Sequence, residues 1–162
     1  MVTTDINEIW RILKDVKDPE IPVITIEELG ILQEVELLDN KVIIHIIPTY
    51  SGCPAMDMIT ANIKVALLAA GIEDVEVKLS LSPAWSTEMI SEEGRKKLRE
   101  YGIAPPVEGM SKKAWLEGKV EIACPLCNSV NTEMISQFGS TACKALYRCK
   151  DCREPFDYFK CL

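Results

Sequence analysis

Thr49-Tyr50-Ser51-Gly52-Cys53-Pro54-Ala55 marks the point where an apolar, β-branched run gives way to a helical pattern. With Pro54 at the first helical position, which its fixed φ suits, Cys53 falls at the N-cap beside unpaired backbone N–H groups. Such a placement favours thiolate over thiol, because the helix dipole adds positive potential at the sulfur. Gly52 lets the backbone bend, and Thr49 and Ser51 bring hydroxyls towards the sulfur. The competing reading makes Cys53 a small apolar filler under the helix, since free cysteines are usually buried.

Working outward from this corner, Ile31 to Leu38 and Lys41 to Ile47 read as two strands joined at Asp39-Asn40, residue types that accept φ > 0 in a hairpin turn. Beyond the corner, a helix from about Pro54 to Ala70 turns Met56, Ile59, Ile63, Leu67 and Ala70 inward and stops at Gly71. Asp74 to Ser80 alternates as a half-buried strand, able to join the sheet parallel to its predecessor through a right-handed crossover. Upstream, residues 5–16 place Ile6, Ile9, Trp10, Leu13 and Val16 on one helical face, capped by Thr4 or Asp5. This helix ends before Asp18-Pro19-Glu20-Ile21-Pro22, where a residue preceding proline leaves the helical region.

The order helix, strand, strand, helix, strand predicts a small two-layer α/β (α+β) domain over residues 1–101, closed by a charged helix from Glu92 to Tyr101. Ligands of α/β folds bind outside the carboxyl ends of the strands, which makes Trp85 and Glu88 candidate neighbours of Cys53. Trp85 serves equally well as a lid over the core. Residues 102–119 contain Pro105-Pro106 and three glycines and read as a linker, anchored onto the first domain by Trp115.

From residue 120 to 162 short strands alternate with cysteines: Cys124-Pro125-Leu126-Cys127, 21 residues, then Cys149-Lys150-Asp151-Cys152. Two Cys-x-x-Cys knuckles at this separation predict one tetrahedral zinc with four thiolate ligands, a closed structural site in a β-rich ribbon. A module this small buries too little apolar surface to fold alone, so the ion supplies on the order of 10 kcal/mol of apparent folding free energy. Four thiolates also accept iron–sulfur clusters, so the residues alone do not name the metal. Cys143 and Cys161 are left over and are assigned structural use.

Composition narrows the function. Seven cysteines, an odd number, do not make a closed disulfide framework, and no stretch is long and apolar enough for a membrane span, so a cytoplasmic protein with metal sites is expected. A net charge of −7 counts against non-specific nucleic-acid binding. The single histidine, His45, excludes sites that need two imidazoles, including paired Glu-x-x-His di-iron centres. It receives no role.

Asp18-Pro19-Glu20-Ile21-Pro22, Thr49 to Pro54, Trp85-Ser86-Thr87-Glu88 and the tail from Phe138 to Cys149 closely resemble the PaaD family, the D proteins of bacterial phenylacetyl-CoA epoxidase systems. Residues 1 to about 100 resemble the SufT-type iron–sulfur assembly domain, and the tail sets the PaaD branch apart. The resemblance implies an accessory factor of ring 1,2-epoxidation in phenylacetate catabolism, and not an enzyme. It implies iron–sulfur cluster assembly or maintenance in the reductase component, with Cys53 as the functional thiol and Asp18, Glu20, Thr49 and Glu88 around it. Expected cofactors are a structural zinc on Cys124, Cys127, Cys149 and Cys152, and a transient iron or cluster at Cys53. General iron–sulfur assembly proteins and a second copy of the chain are further candidate partners. The alternative is a zinc-ribbon adaptor that binds protein or nucleic acid without cluster chemistry. A third reading, Cys53 as an enzyme nucleophile, lacks a neighbouring histidine base.

Overall fold

The computed structural model describes residues 5–50 and 52–160, so Thr4, the Ser51 hydroxyl and Cys161 lie outside the described residues. The chain divides into two compact units, one up to Trp85 and one from Ser86 onward. Together they form a mixed α+β protein with two small sheets. Among the described residues, no helix is long and apolar enough to cross a membrane.

In the first unit, α1 spans Ile6–Leu13 and is capped by Asp5, whose carboxylate accepts the Asn7 N–H at 3.2 Å. Strands β1 (Leu32–Leu38) and β2 (Lys41–Ile46) form the antiparallel hairpin, with Asp39 and Asn40 both left-handed at φ 46° and 74°. Helix α2 (Ala55–Ala69) returns the chain so that β3 (Val75–Leu79) pairs parallel with β2, giving the order β1-β2-β3. Period two along β2 sends Val42, Ile44 and Ile46 into the core with Ile59, Ile63 and Leu67 of α2 and Ile9 and Leu13 of α1. Each such buried side chain contributes roughly 1.5–3 kcal/mol. His45 lies on the opposite face of the sheet, where its Nε2 stands 2.9 Å from Glu36 Oε1.

The inward faces are narrower than the periodicity indicates. Ile6 of α1, Ala70 at the end of α2 and Leu79 of β3 are exposed, because helix ends and the edge strand run past the core. Helix α2 is apolar around its circumference, so Met58, Val65 and Leu68 face outward. Trp85 is the lid of this unit: it is buried, and its indole N–H donates to the Leu29 carbonyl at 2.7 Å.

The second unit begins with a 3-10 turn, Thr87–Met89, and helix α3 (Glu92–Glu100). Strands β4 (Ile103–Ala104), β5 (Thr132–Ser136), β6 (Lys144–Cys149) and β7 (Pro155–Phe159) form a sheet of order β4-β7-β6-β5. Residues 102–119, read from sequence as a linker, supply β4 and a one-turn helix, α4 (Lys112–Leu116), and β4 pairs parallel with β7. Trp115 does not anchor this segment onto the first domain as expected. It packs against Tyr158, donates its indole N–H to the Tyr147 hydroxyl at 2.6 Å, and belongs to the core of the second unit. The reason is volume: that core otherwise holds two alanines, Ile122, two cysteines and three aromatic rings, and the indole fills it.

Candidate functional site

Two thiol sites stand in the two units. In the first, the Cys53 N–H donates to the Tyr50 carbonyl at 3.3 Å, closing a turn, with Gly52 at φ 79°. Glycine suits this third turn position because a side chain is strained at positive φ. The Tyr50 hydroxyl lies near enough to the Cys53 sulfur to draw its thiol down. Helix α2 starts one residue later than expected: Pro54 is its N-cap, with φ −69° and ψ −18°, and Cys53 precedes it. The sulfur nevertheless meets the helix end, accepting the Ala55 N–H.

The expected thiolate preference is overturned. Cys53 is half-buried, and burial pushes its thiol above the ordinary value of 9.0; the Ala55 N–H and the Tyr50 hydroxyl pull it down, but the Glu20 and Asp18 carboxylates push it up again. Removing the thiolate from water and facing it with two anions outweighs the helix end. Asp18 is 6 % exposed and is itself locked in place, its Oδ1 accepting the N–H groups of Glu20 at 2.8 Å and Ile21 at 2.9 Å. The structure thus brings Cys53, Asp18 and Glu20 within electrostatic reach of one another. Thr49 is half-buried in the same loop between β2 and α2. Glu88 belongs to the other unit, exposed on the Thr87–Met89 turn. Tyr50 was missed, although a glycine two residues after it and the cysteine at the third position carry the turn signal that locates it.

In the second unit, the sulfurs of Cys124, Cys127, Cys149 and Cys152 lie within 4.8 Å of one another. Cys124 and Cys152 are 3.8 Å apart and Cys127 and Cys149 3.5 Å. A tetrahedral zinc with Zn–S bonds of ~2.3 Å places its sulfurs ~3.8 Å apart, so the donor set fits zinc. The two knuckles repeat one backbone design. Asn128 and Arg153, each four residues after its first cysteine, are left-handed at φ 63° and 66°. The N–H of Ser129 points at the Cys127 sulfur, and that of Glu154 at the Cys152 sulfur. Asp151 ties the knuckles together by accepting from Ser129 Oγ and from Asn131 Nδ2.

Protonation at this cluster is uneven. The Glu154 N–H draws the Cys152 thiol down, but burial and bonds to the neighbouring sulfurs outweigh it and push it up to about 12. Burial pushes Cys149 up, and the Cys152 and Asp151 N–H groups outweigh it, leaving about 7. Four sulfurs this close carry negative charge together only around a cation, so all four donors point to a bound metal. Cys143 is buried outside the tetrad, 3.0 Å from the Thr141 hydroxyl.

Comparison with known proteins matches two stretches of the chain, the first of which runs past Trp85 into the second unit. Residues 6–99 match the iron–sulfur cluster assembly protein family, and residues 109–160 match the PaaD zinc β-ribbon domain. A protein of Escherichia coli (strain K12), provisionally named as a subunit of 1,2-phenylacetyl-CoA epoxidase, is 50% identical over 157 residues, 97% of this chain and 93% of its own length. An Fe-S protein maturation auxiliary factor of Porphyromonas gingivalis is 34% identical over 89 residues, 54% of this chain and 84% of its own. Among solved structures, a domain of unknown function from Bacillus anthracis aligns with a TM-score of 0.53 at 29% identity, over 57% of this chain and 89% of that one. A conserved hypothetical protein from Thermotoga maritima aligns with a TM-score of 0.50 at 28% identity, over 59% and 94%. The chain belongs to the iron–sulfur cluster assembly protein family, in the branch that carries a PaaD zinc β-ribbon.

Proposed function

We propose that this protein is a non-enzymatic accessory factor of a phenylacetyl-CoA epoxidase system, acting through Cys53 in the assembly or maintenance of the iron–sulfur cluster of the reductase component. The carrying observation is the corner itself: a half-buried thiol held between a helix-start N–H, a tyrosine hydroxyl and two carboxylates. At neutral pH the sulfur rests protonated, which protects it from oxidation and disulfide exchange, both thiolate reactions. The carboxylates of Asp18 and Glu20 favour an approaching iron cation. As the sulfur bonds to iron, the thiol proton leaves, so loading exchanges one proton for one metal–sulfur bond. No histidine base accompanies Cys53, which argues against a nucleophilic enzyme. We place this role in the cytoplasm, where thiols stay reduced.

The adaptor reading assigns the ribbon to partner binding alone. Its nucleic-acid version is weakened by the net charge of −7 and by Glu133, which pairs with both Arg148 and Lys150. The deciding experiment produces the reductase with the wild-type protein or with Cys53→Ser, at equal accessory levels and with the fold checked by circular dichroism. Cluster content of the reductase should fall severalfold with the serine variant. Equal cluster content with both would refute cluster chemistry at Cys53 and leave the adaptor reading.

A further inference from the structure

Lys160 is a buried cation that the proposed chemistry does not use. It is 4 % exposed, yet among the described residues no carboxylate pairs with it. Its amine donates to the Gln137 carbonyl and lies 4.2 Å from the centroid of Phe138 and 5.7 Å from that of Trp115. Ring faces and one carbonyl offset only part of a buried charge. Burial, and then the charge of Lys112, push the Lys160 amine below its ordinary value, with Cys143 opposing them.

Both lysines line one small cavity, together with Ser111, Met110, Trp115 and Tyr158. The Ser111 hydroxyl oxygen accepts the Ala114 N–H at 3.1 Å, which leaves its own proton available to a further acceptor. Two lysines and one hydroxyl residue therefore line a single cavity, and no aspartate or glutamate is among its lining residues. The cavity volume of about 20 Å³ holds roughly one water-sized group. A single anionic oxygen enters such a space, and a planar carboxylate crowds its mouth less than a tetrahedral phosphate does. Phe138, beside the Lys160 amine, and Met110, on the cavity lining, are 63% and 47% exposed and offer apolar contact to the stem that carries the anion.

We infer that Lys160, Lys112 and Ser111 bind a single carboxylate, presented by an aspartate or glutamate of an acidic segment on a partner protein. The aliphatic stem of that residue rests against Phe138 and Met110 while its head closes the charge balance inside. This site is separate from Cys53 and does not require cluster chemistry there.

The test uses the zinc-loaded full chain with lysine labelled at Cε, followed by NMR at constant ionic strength, the Lys160 signal being assigned from Lys160→Met. The probes are sodium acetate, a tetraglutamate peptide and inorganic phosphate. The Lys160 signal should shift saturably with acetate and, at lower concentration, with tetraglutamate, and show no saturable shift with phosphate. Lys112→Ala, at an exposed position, should weaken tetraglutamate binding about tenfold through the loss of one charged donor. Lys160→Met, an apolar stem of similar length, should melt no lower than wild type and lose peptide binding. A Lys160 signal that ignores acetate and tetraglutamate, an equal response to phosphate, or full affinity in Lys112→Ala would each overturn the proposal.

Discussion

Cysteine serves opposite purposes in the two units. The four thiols of the ribbon satisfy one another's geometry: two knuckles of the same backbone design face their sulfurs at 3.5 Å and 3.8 Å, and a single ion closes the set. Cys53 has no such company. Its neighbours are carboxylates, a hydroxyl and a backbone N–H, a set that, under the proposed function, takes up a metal without keeping it. The contrast teaches that spacing governs a resident metal site, whereas the loops that surround a lone sulfur govern its protonation.

The largest expected effect breaks the ribbon alone. Removing zinc with a chelator, or Cys149→Ser, forfeits binding free energy on the order of 10 kcal/mol. Hydrogen exchange should then show lost amide protection on β5, β6 and β7, with protection of β2 and α2 retained. If both units lose protection together, the division drawn here between them is wrong. Next comes Trp115→Ala, which empties the place of an indole and leaves the Tyr147 hydroxyl without its donor. It should cost about 3–5 kcal/mol, read as a lower denaturation midpoint of the zinc-loaded second unit.

A smaller effect belongs to Asp18. Asp18→Ala leaves the N–H groups of Glu20 and Ile21 without their acceptor and should cost about 1–3 kcal/mol in denaturant unfolding of the first unit. Asp18→Asn keeps an acceptor oxygen and should recover most of that loss.

The smallest effects sharpen the account of Cys53. Alkylation of the Cys53 peptide by iodoacetamide should be slow at neutral pH and rise with a midpoint above 9.0, because only the thiolate reacts. Glu20→Gln removes a charge that disfavours the thiolate, so the midpoint should move down and the rate at pH 8 increase. Tyr50→Phe removes a donor that favours it, so the midpoint should move up. Shifts in the reverse directions would contradict the arrangement of charges around the sulfur.

The hairpin and the tetrad were legible in the sequence because their causes are local. Asp39-Asn40 accepts two consecutive left-handed residues, and paired knuckles state their own ligand spacing. The position of Cys53 at a strand-to-helix corner was legible for the same reason. Its charge state was not. The carboxylates that raise the thiol come from a loop more than 30 residues upstream, and the burial that dominates them comes from packing that no local pattern encodes. Trp115 failed differently: a one-turn helix after two prolines shows that an aromatic side chain must bury itself, but not in which core. The burial of Lys160 was invisible, since a lysine near the end of a chain ordinarily reads as a solvated charge.

The most direct test of the contrast is metal content in anaerobic protein. Wild type and Cys53→Ser, each incubated with ferrous iron and desalted, should both retain one zinc per chain, while only wild type retains added iron. Equal iron in the two proteins, or zinc lost together with the Cys53 sulfur, would contradict a closed ribbon site and a separate thiol that takes up metal.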